Sequence, residues 1–225
     1  MAELLEKKIK IVFAPEEKKP FLVIYKPQGL ASAPLKENDD CALNQAIELF
    51  PSIKNVHGKK TVEYGLIHRI DTETEGLLLI ALDQEFYDEI QKEQKNGQFI
   101  KYYRAKIDTN ENISKEFTIT SKFRTFGPKG KLVKCVFENG STADKKKCSD
   151  KIYSTHIKIN GKEAVCSIKE GFRHQVRVHL ATSGFPIKGD KLYNPDAKEN
   201  EKMQFCAFGI EFINPSTNEK LSFKI

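Results

Sequence analysis

Hydrophobic positions along this chain fall into short β-rich runs separated by two stretches of helical period. Residues 21–25 (FLVIY) form an apolar, β-branched run stopped by KPQG, where Pro27 fixes φ and Gly29 completes a turn; a strand leading into a loop is predicted. Asp39 or Asp40 then offers an N-cap, and Ala42, Leu43, Ala46, Ile47, Leu49 and Phe50 recur at helical spacing until Pro51 stops them. GLIHRI (65–70) and LLLIAL (77–82) are predicted as two strands flanking the acidic loop DTETEG. Asp83 caps a helix over 84–95, with Phe86, Tyr87 and Ile90 on its inner side and Gly97 just beyond its end.

The rest of the chain reads mainly as β. In FIKYYRAKI (99–107), period-2 alternation puts Phe99, Lys101, Tyr103, Ala105 and Ile107 on one face, so Lys101 and Tyr103 look the same way. EFTITSKF, KLVKCVF, KIYSTHIKIN and KEAVCSIKE follow, the last two joined at Asn160-Gly161, the strongest hairpin signal in the sequence. RHQVRVHLAT (173–182) is helix-compatible, and MQFCAFGIEFI and KLSFKI supply closing strands around NPSTNE. Many strands with about three helices imply the α+β class, a mixed, mainly antiparallel sheet with helices packed on it. Neither G-x-G-x-x-G nor G-x-x-x-x-G-K-[ST] occurs, so the backbone cradles for dinucleotides and nucleotide phosphates are absent.

Composition narrows the classes. With 39% hydrophobic residues and 30% charged, the chain can fill a core and is not a disordered segment. Lys plus Arg number 37 against 31 Asp plus Glu, a net +6 that suits a polyanionic partner. The longest apolar run ends at Leu82 and falls far short of the about 20 residues a bilayer span needs. MAELLEKKIKI mixes acids and bases without an apolar stretch, unlike a secretory signal, so a cytoplasmic location is expected. Five scattered cysteines without C-x-x-C predict neither a disulfide framework nor a zinc site, and His174 and His179 are five apart rather than four, so no metal is expected.

Two polar clusters interrupt apolar surroundings. In IHRIDTETEG, a strand ending at Asp71 would put Arg69 and Asp71 on one face; the alternative is a solvated loop with Asp71 as a turn residue. In GFRHQVRVHL, His174, Arg177 and Val178 share a helical face, the alternative being a basic, solvent-exposed helix. Asp190 in GFPIKGDKLYN reads as a structural turn residue. Lys122, Arg124, Lys129, Lys131 and Lys134 crowd SKFRTFGPKGKLVKC with no acid among them: either a solvated face or a basic finger for a phosphate backbone. No G-x-S-x-G elbow is present, which removes Ser-His-Asp hydrolysis. An aspartyl-phosphate phosphatase is a decoy: Glu73 stands where its D-x-D-x-T pattern needs the second Asp.

IHRIDTETEGLLLIA resembles the H-R-L-D-x-x-T-S-G-L-L-L-x-A signature of the RluA-type RNA pseudouridine synthases, and VIYKPQGL resembles that family's K-P-x-G segment. KYYRA is similar to its K-x-Y-x-A strand, and GFRHQVRVHLATSGFPIKGDKLY to its G-R-x-H-Q-I-R-x-H-x-x-x-x-G-x-P-I-x-G-D-x-x-Y block. Four motifs in the right order are far more specific than one. Glu75, Phe172 and Cys206-Ala207 depart from the pattern, in place of the usual Ser, Arg and His-Ala.

The resemblance implies a single catalytic domain over 1–225, with about 1–20 an extension or edge strand and without the family's optional N-terminal RNA-binding module. It makes Asp71 the catalytic carboxylate that frees the uracil base, after which the base rejoins the sugar through carbon 5. Arg177 becomes the ion-pair partner of that carboxylate, and Tyr103 the aromatic ring that stacks on the target base. Arg69 fills the gap left by the flipped nucleotide. Lys101 either holds a phosphate or packs structurally, and His174 is a further RNA contact; Arg124, Lys129 and Lys131 join them where the basic segment, read from its charge alone, forms a finger on the RNA. An isomerisation of this kind requires no cofactor, nucleotide or metal. The implied partner is a structured rRNA or tRNA stem-loop, with a monomer expected; a non-catalytic RNA-binding module is the alternative.

Overall fold

The computed structural model describes residues 7–36, 38–109 and 113–225. In chain order its regular elements are β1 (Lys10–Phe13), β2 (Phe21–Lys26), α1 (Ala42–Leu49), β3 (Glu75–Ala81), α2 (Gln84–Lys95), β4 (Ile100–Lys106), β5 (Ser114–Phe126), β6 (Leu132–Val136), α3 (Thr142–Lys145), β7 (Tyr153–Asn160), β8 (Glu163–Ile168), α4 (Gln175–Thr182), β9 (Phe205–Ile213) and β10 (Lys220–Lys224). Mostly antiparallel strands with four helices among the described residues make it an α+β protein, as the sequence predicts. Its contacts gather into two compact units, one of the chain up to Phe99 together with Ala207–Ile225, the other of Ile100–Cys206.

In the first unit the strands run β1-β2-β3-β9, with β10 antiparallel on β9. β2 and β3 pair antiparallel from Phe21 opposite Ala81 to Lys26 opposite Gly76, and nearly every residue of both is buried. That double-sided burial explains why both read as continuous apolar runs rather than alternating ones. Phe86, Tyr87 and Ile90 of α2 pack on Phe21, Leu77, Leu79, Phe99 and Phe212, with the Phe21 and Phe86 rings stacked at 4.9 Å. α2 has the predicted ends: Asp83 accepts from the Phe86 amide at 2.7 Å, and Gly97 takes φ 72° just past the helix.

Two expectations need correction here. The N-cap of α1 is Cys41, whose sulfur accepts from Asn44 N–H; Asp39 instead closes a turn on the Leu35 and Lys36 amides, and Asp40 binds the Gln45 amide group. Residues 65–70 are extended but not a strand. Only Leu66 bridges β3, opposite Ile80, and the Leu79 amide is taken by His68 Nε2 at 3.3 Å rather than by a backbone carbonyl, which ends the ladder. β1 is an edge strand; the start of the N-terminal extension, residues 1–6, lies outside the described residues.

In the second unit the order is β4-β8-β7-β5-β6, every neighbouring pair antiparallel. The β7–β8 turn is centred on Gly161 and Lys162, one residue later than the sequence signal, with Asn160 opposite Glu163. The buried face carries Lys101, Tyr103 and Ala105 of β4, Thr155, Ile157 and Ile159 of β7, and Ala164, Cys166 and Ile168 of β8. Lys101 and Tyr103 thus share a face. The exposed-helix alternative for 173–182 fails: Gln175 to Leu180 of α4 are all buried. His179 is wedged between Thr155 Oγ1 at 2.7 Å and Ser121 Oγ at 2.9 Å, and burial lowers its pKa to about 4, so it is neutral and ties α4 to β5 and β7.

Candidate active site

In the first unit Asp71 stands at the start of a tight turn closed by Thr74 N–H on the Asp71 carbonyl at 3.0 Å. Asp71 is half-buried, while Thr72 and Glu73 are exposed. The turn is clamped by the segment that follows β2. Lys26 is fully buried, and its ammonium donates to the carbonyls of Leu30 at 2.7 Å, Pro27 at 3.0 Å and Thr72 at 3.2 Å. All three ammonium protons therefore go to backbone oxygens. Gly29, at φ +79°, sends its amide to the Thr72 carbonyl at 2.7 Å, Gln28 binds the Glu73 carbonyl at 2.9 Å, and Ser32 Oγ donates to the Ile70 carbonyl at 2.7 Å. Burial lowers the Lys26 pKa to about 8, a shift that the nearby negative charge of Asp71 opposes. At neutral pH Lys26 is therefore charged.

Two further features fix the turn. Tyr25 OH donates to Glu75 Oε2 at 2.7 Å, so the glutamate that departs from the usual Ser of the motif has a partner on β2. Gly76 has φ +131°, and a Cβ there would lie 2.2 Å from the Ala207 carbonyl oxygen; only glycine fits. Arg69 is exposed and bonds Glu63 Oε1 at 2.9 Å. Because residues 65–70 are not a strand, no strand face joins Arg69 to Asp71.

In the second unit Tyr103 stacks on Phe205, centroids 5.3 Å apart and planes at 14°, with Lys101 buried two residues before it. Arg177 and Asp190 form a buried two-point ion pair, Nε to Oδ2 at 2.8 Å and Nη2 to Oδ1 at 2.7 Å. Their side chains are 6% and 0% exposed. The paired geometry fixes the guanidinium plane. Arg177 also lies against the Tyr193 ring, 5.2 Å from its centroid. Tyr193 OH accepts from the Val133 amide at 3.0 Å and lies 2.7 Å from His174 Nδ1. His174 and Arg177 are thus brought together at Tyr193.

The basic segment forms the β5–β6 hairpin. Arg124 is paired with Asp144, which also takes Lys134 at 2.7 Å, whereas Lys129 and Lys131 are exposed at the hairpin tip. Phe172, in place of the family's usual Arg, stacks on Phe123 at 5.0 Å and meets Tyr153 edge-on at 5.3 Å.

Sequence reasoning missed three residues that hold this chemistry in place. Lys26, Asp190 and Tyr193 all lie inside the quoted motifs, in KPQG and GDKLY. Lys26 was hidden by the turn residues around it, and Asp190 reads as a turn residue until the fold brings α4 beside it.

The RNA pseudouridylate synthase family model matches residues 20–182. The chain is 26% identical over 202 residues to the uncharacterised RNA pseudouridine synthase YjbO of Bacillus subtilis, covering 90% of this chain and 68% of that protein. It is 29% identical over 220 residues to an uncharacterised RNA pseudouridine synthase of Mycoplasma genitalium, covering 96% and 66%. With the dual-specificity RNA pseudouridine synthase RluA of Yersinia pestis it shares 27% identity over 213 residues, 92% of this chain and 94% of that one. The chain therefore spans about two thirds of the first two relatives and nearly all of the third. Among solved structures, Human RNA Pseudouridylate Synthase Domain Containing 1 superposes with a TM-score of 0.70 at 19% identity, over 97% of this chain and 83% of that one, a likeness of fold.

Proposed function

We propose that this chain, which belongs to the RNA pseudouridylate synthase family and is of its RluA type, isomerises uridine in structured ribosomal or transfer RNA to pseudouridine with Asp71 as its catalytic carboxylate. The observation that carries the reading is the Asp71 turn, held by the buried Lys26 ammonium and five further hydrogen-bonding groups within the matched region. So many fixed points on one short turn hold a carboxylate ready for attack, which is the entropic part of such catalysis.

The chemistry balances within one nucleotide. The carbon–nitrogen glycosidic bond breaks, the detached base turns, a carbon–carbon bond forms from carbon 5 to the sugar, and the carbon-5 proton leaves to solvent while a ring nitrogen gains one. Asp71 assists cleavage, Tyr103 stacks on the base, and Arg177, aligned by Asp190, supplies positive charge to the reacting groups. Arg69 fills the stack vacated by the flipped uridine, at a flipping cost of about a few kcal/mol. His174, Arg124, Lys129 and Lys131 contact the RNA, whereas Lys101, buried on the face it shares with Tyr103, takes the structural alternative. Lys26 positions the Asp71 turn rather than touching substrate.

Pseudouridine mapping of ribosomal and transfer RNA from cells lacking the protein tests this reading. One or a few sites lost, and restored by the wild-type gene, is the expected result. Unchanged maps in both pools would overturn it in favour of a non-catalytic RNA-binding module.

A further inference from the structure

The β5–β6 register puts Arg124 directly opposite Lys134 and Phe126 opposite Leu132 on one face of the hairpin. The other face, with Phe123 and Val133, packs beneath Val178 of α4 together with Cys135, Tyr153, Phe172 and Tyr193. Like charges placed opposite each other across a strand pair repel. Here they are held together by Asp144 of α3, whose Oδ1 bonds both Lys134 Nζ, at 2.7 Å, and Arg124, while Ser141 OH donates to its Oδ2 at 2.9 Å. Lys134, Ser141 and Arg124 together hold the Asp144 carboxyl down at about 2. Two cations converging on one anionic oxygen reproduce the surroundings that a backbone phosphate oxygen needs.

All three groups are partly exposed, with side-chain exposures of 22% for Arg124, 40% for Lys134 and 20% for Asp144, so a ligand can reach them. Phe126 lies beside them, 37% exposed, with Lys134 Nζ 5.7 Å from its ring centroid. The tip beyond is bent by Gly127, Lys129 and Gly130, all at positive φ, and presents Lys129 and Lys131 to solvent. No Asp or Glu occurs from Ser121 to Phe137. The hairpin is also tied to the segments on either side of α4, by the Val133 amide on Tyr193 OH, whose ring lies against Arg177, and by Arg173, two residues before the helix, on the Gly130 carbonyl.

We propose that this face is a binding strip for single-stranded RNA, in which a backbone phosphate displaces Asp144 from Arg124 and Lys134 and Phe126 stacks on the adjoining unpaired base. Lys129 and Lys131 hold the neighbouring phosphates. The proposal rests on the RNA reading above and adds to it where the strand outside the target nucleotide lies, and that Asp144 competes for the site. An aromatic ring flanked by cations accepts any base, so the strip serves affinity and register rather than sequence choice.

The test measures binding of the full chain to an oligouridylate of about twelve nucleotides and to an RNA duplex of the same length, across a salt series. Asp144→Asn is expected to bind the oligouridylate about threefold to fivefold more tightly, since it removes the competing anion. Phe126→Ala is expected to weaken the oligouridylate about tenfold and leave the duplex unchanged. The double variant Arg124→Ala, Lys134→Ala is expected to flatten the salt dependence by about one to two phosphates. Should Asp144→Asn melt at a lower temperature, Phe126→Ala carries the test, because its ring lies at the surface. Wild-type binding to the oligouridylate with no change in any variant overturns this proposal alone, and is what a protein-docking hairpin would give. Failure of the wild type to bind either RNA overturns the RNA reading itself.

Discussion

At the scale of single residues, the two charged groups buried deepest in the motifs serve other groups rather than the reaction. Lys26 ties the Thr72 carbonyl of the Asp71 turn to the carbonyls of Pro27 and Leu30, and Asp190 fixes Arg177. A buried ion pair is weak evidence for stability, but breaking one is costly because it strands a charge. Asp190→Asn should therefore destabilise the protein by about 3 to 5 kcal/mol. The double variant Arg177→Met, Asp190→Leu should recover most of that stability while recovering no pseudouridine formation. Denaturant melting of the three proteins alongside an activity assay checks both halves; equal melting of Asp190→Asn and wild type would show the pair to be dispensable to the fold. That Asp71 sits in a charged turn between apolar runs was legible, because DTETEG interrupts them; its role as the reacting carboxylate, drawn from the order of four motifs, is the proposal to be tested. The depth of Lys26 was not, since a lysine beside Pro27 reads as a turn residue until Thr72, 46 positions later, is folded onto it.

At the scale of elements, local signals were legible where the element's own residues decide its ends. α2 begins at the Asp83 cap and stops before Gly97, and β4 alternates as its side chains require. Distant partners decided what local signals left open: residues 65–70, predicted as a strand, lose a ladder bond to the His68 ring, and α4, predicted as a helix with an exposed basic face as the alternative, is covered because Arg177 and His179 both find buried partners. The latter has a measurable consequence. His179 has a folded pKa of about 4 against an ordinary 6.5, so between those values the unfolded chain binds the extra proton. Stability from this group is full above pH 6.5 and is lost as pH falls toward 4, by about 3 kcal/mol in all. His179→Gln, which keeps hydrogen bonding to Ser121 and Thr155 without a titrating ring, should be less stable at pH 7 but lose less on acidification. Urea melts at pH 7 and 5 decide this; parallel pH profiles for both proteins would mean His179 titrates normally.

At the scale of the whole molecule, the order of four motifs along the chain carried the family, and the family match covers residues 20–182. The net charge of +6 gave only a leaning toward a polyanion, and the structure refines it by location: Arg124 and Lys134 are already neutralised in part by Asp144, whereas Lys129 and Lys131 are exposed. Charge counted from composition could not separate these, because the pairing joins residues 20 apart in sequence. The central claim is that Asp71 drives the transfer of the sugar from nitrogen to carbon 5 of a uracil base, a step that must expel the carbon-5 hydrogen. The most direct measurement is tritium release from carbon-5-labelled uridine in RNA drawn from cells lacking the protein, comparing wild type with Asp71→Ala and monitoring melting and RNA binding of both. The account predicts release by wild type and none by Asp71→Ala, with melting and binding preserved in the variant. Release by Asp71→Ala at the wild-type rate, or no release by a wild type that binds the RNA, would contradict it.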